Sequence, residues 1–151
     1  MSENFSFDRW RARSHDSQDF SSEEKCDEFI ELLSEAEANM SYEVIVELLK
    51  TFSDADDFGV HERARNIVEA TGRGIFYPAL VQELDGLIAR SPEKQWALTL
   101  VGIELDYGDF DLLLSYARKT TQSAKNVFIS FVKSSEFASE YPSVAPYLKG
   151  I

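Results

Sequence analysis

With 151 residues and a formal net charge of −12, the chain is long enough for one domain that buries roughly 70% of its unfolded surface. It is too acidic to favour a phosphate backbone, which holds proteins mainly through Lys and Arg. The single cysteine, Cys26, excludes an internal disulfide and suits a reducing compartment. No apolar run approaches the roughly 20 residues of a membrane span, and Met-Ser-Glu-Asn-Phe-Ser-Phe-Asp lacks the basic region and apolar core of a signal peptide. The expectation is a cytoplasmic protein with no direct nucleic-acid or membrane ligand.

Residues 1 to about 20 mix Phe5, Phe7, Trp10 and Phe20 with Arg9, Arg11 and Arg13 and hold no sustained period. They read as an irregular arm, tacked on by its aromatics or disordered, ahead of a single helical domain over 21–151. A first helix is predicted over Ser22 to Ala38, with Cys26, Phe29, Ile30, Leu33 and Ala36 at core spacing. Glu24, Glu28, Glu31 and Glu35 fall on another face, where like charges mildly destabilise a helix. A second helix, Ser41 to Phe52, turns inward Ile45, Leu48, Leu49 and Phe52. A turn carrying Asp54, Asp56 and Asp57 follows, then a third helix, Val60 to Thr71, stopped by Gly72.

Phe76 to Arg90 is predicted as a fourth helix with Pro78 near its start. Ser91 to Leu105 is the central helix, with Ser91 as N-cap and Pro92 at the first helical position. Between Trp96 and Ile103 only Thr99 and Gly102 interrupt its apolar side chains. A buried strand is the rival reading of so short a run, but the cap and the length favour helix. Two further helices, Phe110 to Arg118 and Thr121 to Lys133, precede a capping tail with Phe137, Tyr141 and Tyr147.

These helices recur as pairs. Tyr42-x-Val44-Ile45-Val46, Tyr77-x-Ala79-Leu80-Val81 and Phe110-x-Leu112-Leu113-Leu114 superpose at offsets of 35 and 33 residues. Ala64-x-x-Ile67-Val68, Ala97-x-x-Leu100-Val101 and Ala124-x-x-Val127-Phe128 do so at 33 and 27. The fold class is therefore all-α, with degenerate helical pairs stacked as a short HEAT-like α-solenoid.

No constellation of catalytic residues stands out, so no enzyme, cofactor or metal is expected. His15 and His61 share no metal-ligand spacing with each other or with Cys26, and both read as solvated surface residues. Cys26 lies on an apolar face and reads as a core thiol. Gly72-Arg73-Gly74 lacks phosphate-loop spacing and reads as a helix-terminating turn. Asp54, Asp56 and Asp57 resemble the start of a calcium loop, but Arg65 stands where the closing Glu belongs. From Asp16 to Glu69 there are 16 Asp and Glu against four Lys and Arg, whereas from Gly72 onward the count is nine against eight. An acidic half of this kind is a solubilising face, or a surface that steers a basic partner.

The acidic first helix with Glu28-Phe29-Ile30-Glu31-Leu32-Leu33, and the turn Arg90-Ser91-Pro92-Glu93 leading into Trp96-Ala97-Leu98, resemble the HEAT-like immunity proteins of bacterial contact-dependent growth inhibition and polymorphic toxin systems. The resemblance spans about Ser22 to Val132 and rests on helix pattern rather than an invariant motif. It implies a non-enzymatic toxin inhibitor that binds the C-terminal domain of a cognate toxin, often a nuclease with a basic surface, and blocks its active site or substrate channel. The family supplies no universal binding residues. Charge alone selects Glu24, Glu28, Glu31 and Glu35, with Asp54, Asp56 and Asp57, as the toxin-binding set. A HEAT-like adaptor in a cytoplasmic complex would share all of these features.

Overall fold

Apolar residues at helical spacing organise most of the helices in the computed structural model, which describes residues 5–16, 22–52, 60–90 and 95–150. Among those residues there are helices and no strand, so Leu98 to Ile103 is helical. The chain divides into two compact units, Met1–Phe76 and Tyr77–Ile151, where sequence pattern predicts one domain over 21–151.

In the first unit, α1 (Phe7–Asp16) packs on α2 (Glu23–Ala38) and α3 (Tyr42–Leu49), and both of these pack on α4 (Val60–Ala70). The core face of α2 is Cys26, Phe29, Leu32, Leu33 and Ala36, all buried. Ile30, predicted for that face, is only half-buried, because α1 covers the Leu32 side of α2 instead. Ser41 caps α3 by accepting the Val44 N–H at 3.2 Å. The helix ends at Leu49, earlier than predicted, yet Phe52 is still fully buried through a tight turn in which the Thr51 hydroxyl donates to the Leu48 carbonyl at 2.6 Å. Gly72 follows α4 with φ of 110°, a conformation that L side chains resist, and so provides the predicted stop.

α5 (Arg73–Arg90) starts earlier than predicted: the Ile75 and Phe76 N–H groups donate to the Gly72 carbonyl at 3.2 and 3.0 Å. Pro78 therefore lies inside the helix. The carbonyl that loses a donor belongs to Gly74, which is exposed, so solvent replaces the missing bond. In the second unit, α6 (Gln95–Asp106) is in contact with α7 (Phe110–Lys119), α9 (Ser135–Glu140) and the 3-10 helix Pro142–Gly150, while α8 (Gln122–Val132) packs on α7 and α9. No side chain from Trp96 to Leu105 is exposed, which makes α6 the central helix of its unit. The predicted cap at Ser91 and Pro92 lies outside the described residues.

The tail closes on α6 through one glycine. Tyr141 packs at a tilt beside Phe137 with ring centroids 5.3 Å apart, and its ring lies directly on Gly102, where an added Cβ would collide with the ring. Helix propensity alone favours Gly102→Ala by about 1 kcal/mol. Overpacking of this kind typically costs about 1–3 kcal/mol, and here the Tyr141 ring would have to leave its place on α6. Thermal melting of Gly102→Ala should show a net loss of stability, and a gain would disprove the seating of Tyr141.

Candidate partner-binding face

The apolar spacing of α2 decides which of its carboxylates face outward. With Cys26, Phe29, Leu33 and Ala36 turned inward, Glu24, Glu28 and Glu31 are exposed on the other side, accompanied by Asp27. Glu35, one turn beyond Glu31, is half-buried because Arg13 of α1 donates from Nη1 to its two oxygens at 2.9 and 3.2 Å. Two sets stand out among the described glutamates of this unit. Glu35, Glu47, Glu62 and Glu69 are held by cations, the last two by Arg65, whose Nε lies 3.2 Å from Glu62 and Nη1 3.0 Å from Glu69. Glu24, Glu28 and Glu31 remain on open surface, where a field can act on an approaching cation.

The helix α1 was not legible as a helix, because only Trp10 and Ser14 among its described side chains are buried and one anchor sets no period. Its indole N–H donates to the Leu32 carbonyl of α2 at 2.9 Å. Phe7 stacks on Trp10 at 6.2 Å between centroids. One turn apart on the same side, Arg11 and His15 both reach Glu47 of α3: Arg11 Nε donates to Oε1 at 3.0 Å and His15 Nε2 to Oε2 at 2.9 Å. Lys50 Nζ adds a contact at 3.4 Å. Sequence spacing alone offered one signal for this, namely the Arg11-His15 and Arg9-Arg13 pairs at four-residue separation opposite an acidic half.

Glu47 is only 5% exposed, whereas Arg11 and His15 are half in solvent. Burial pushes its carboxyl upward, but hydrogen bonds from His15 and Lys50, and the charges of Lys50 and Arg11, outweigh burial and hold it below the ordinary value of 4.5. A depressed carboxyl stabilises the fold fully above the unfolded value, and that stability is lost as pH falls through 4.5 and then through the lower folded value. The first unit should therefore loosen in acid, with Trp10 emission shifting to the red. Glu47→Gln should lose that part of the pH dependence, and an unchanged acid profile in this variant would show that Glu47 is not its source.

Other candidates fall differently. Asp54, Asp56 and Asp57 lie outside the described residues. Cys26 is buried as expected. His61 is not a solvated residue, as its sequence context suggests, but is 1% exposed. It stacks on Phe52 at 5.5 Å, and its Nε2 lies 2.9 Å from the Thr51 carbonyl. A carbonyl only accepts, so Nε2 carries the proton, and the ring pins the end of α3 to α4. His15 is exposed but engaged with Glu47 rather than simply solvated. No group of three or more His, Cys, Asp or Glu that could hold a metal ion occurs among the described residues. No described helix is long and apolar enough to cross a membrane.

Sequence pattern gives no reason to single out Tyr107. It is 85% exposed in the second unit, between Asp106 and Asp109, and places an aromatic ring on an acidic tip. Comparison with family models, with curated proteins and with solved structures finds no match for the chain.

Proposed function

We propose that this chain is an immunity-type inhibitor that binds a cognate toxin domain with a basic surface, such as a nuclease, in the cytoplasm, and acts by blocking the toxin's active site or substrate surface rather than by catalysis. The observation that carries the reading is the exposed stripe Glu24, Glu28 and Glu31 on α2, set in a stretch with 16 acidic and four basic residues. Like charges on one helix face oppose its folding, so a stripe retained there is most useful for attracting a cation. Support for HEAT-like pairs comes from a shared register: Ile45, Leu80 and Leu113 are fully buried in the first helix of each pair, and Ala64, Ala97 and Ala124 are buried in the second. The leading aromatic is not equivalent, since Tyr42 is exposed while Tyr77 and Phe110 are buried.

Reversing Glu28→Lys and Glu31→Lys together should slow association with the toxin about tenfold at low salt and flatten its salt dependence, because exposed charges act mainly on the on-rate. The fold should survive, since both side chains point to solvent. The assay is co-expression with toxin domains encoded by adjacent genes, paired with association rates at low and high ionic strength. Absence of protection by the unmodified chain removes the immunity reading. Protection and on-rate both untouched by the double reversal remove the α2 stripe from the interface.

A further inference from the structure

α1 is held as a ligand is held. Its grip consists of one aromatic anchor, Trp10 on the Leu32 carbonyl, and a set of cations, Arg11 and His15 on Glu47 and Arg13 on Glu35. The surface beneath it on α2 and α3 therefore offers a backbone acceptor, a buried carboxylate and a half-exposed carboxylate. That is the complement of a basic helix bearing an aromatic residue one position before one cation and three before another.

The grip is also of a kind that yields. Arg11 and His15 are each 50% exposed and Arg13 is 53% exposed, so their pairs are screened by solvent and salt. A helix of ten residues is marginal without its docking surface, so α1 pays its ordering entropy each time it docks. A basic helix already folded within a partner domain does not pay that entropy and can displace α1, although α1 competes at the high effective concentration of a tethered segment.

We infer that the cleft of Leu32, Glu35 and Glu47 is a docking site for a basic, aromatic-bearing helix of the partner, and that α1 is a built-in occupant which that helix displaces. The inference rests on the proposed reading that the partner is a basic protein, and it extends the interface from the open α2 stripe to the surface under α1.

The probe is a labelled synthetic peptide with the sequence of residues 7–16, added to the full chain. The variant Trp10→Ala/Arg13→Gln, which loosens α1, should bind the peptide about tenfold more tightly than the unmodified chain, as expected when a tethered competitor is weakened. Adding Glu47→Gln should abolish the gain. Equal binding by the unmodified and loosened chains, or a gain that survives Glu47→Gln, overturns the proposal. Should Trp10→Ala fail to fold, Arg11→Gln/Arg13→Gln changes only half-exposed side chains, and a gain of about threefold carries the same test; no gain there is equally decisive. A failed peptide exchange leaves the immunity reading standing, and failed protection in co-expression leaves the cleft standing, so the two are separable.

Discussion

Leu100→Ala should lower the stability of the Tyr77–Ile151 unit by about 2–5 kcal/mol, the range for emptying a well-packed leucine site. Leu100 is fully buried on α6, the helix whose neighbours are α7, α9 and the 3-10 helix. Deleting its side chain opens a cavity that several helices would have to shift together to fill. For a unit of this size each kcal/mol is worth roughly 4–8 °C in Tm, so a fall of about 10 °C or more is expected by circular dichroism. Trp96 emission should follow the same transition. An unchanged Tm would mean that α6 is not the centre of that unit.

The second large effect is expected from Tyr77→Phe, which removes a single oxygen. Tyr77 and Glu104 are both buried, and the phenol donates to Oε1 of Glu104 while accepting the Asp109 N–H at 3.1 Å. One hydroxyl thus ties α5 to the end of α6 and to the turn that opens α7. Hydrogen bonds to charged groups are worth about 1.5–3 kcal/mol, and stranding a buried acceptor adds to that, so a loss of about 2–4 kcal/mol is expected. The discriminating variant is Tyr77→Phe/Glu104→Leu. With both polar partners gone no buried carboxylate is stranded, and only the N–H of Asp109, an exposed residue, loses its acceptor, so much of the lost stability should return. A double variant as unstable as the sum of its singles would show that the two side chains do not act as a pair.

Much of the architecture was readable from spacing because the buried faces are mostly apolar. Phe29, Leu33 and Ala36, or Leu113, Leu114 and Ala117, recur at helical intervals and are all buried, and Ser41 marks a helix start by chemistry that acts within four residues. The helices α2 to α8 were found for that reason, although α5 starts at Arg73 rather than Phe76.

Contacts between distant residues were not readable. Gly102 looked like an interruption in an apolar run, and only the placement of Tyr141 gives it a role. His61 looked solvated because polar neighbours surround it in sequence, whereas its fate depends on Phe52 nine residues earlier. Of the acidic set, Glu24, Glu28 and Glu31 emerged on open surface as charge pattern implied. Glu35 did not emerge free, because its cation comes from α1, a helix held by ion pairs and one indole rather than by an apolar stripe.

The buried thiol of Cys26 turns α2 into a timepiece. Free thiols react as thiolates, and only where a reagent can reach them, so Cys26, sealed on the core face of α2, can be labelled only when that helix lifts. When closing outpaces labelling, the rate relative to that of a free thiol under the same conditions reports the fraction of time that α2 is open. Since the chain holds no other cysteine, the reading needs no engineered probe and no background correction. A bound partner that clamps α2 should slow the clock, whereas one that merely lifts α1 should leave it running or hasten it.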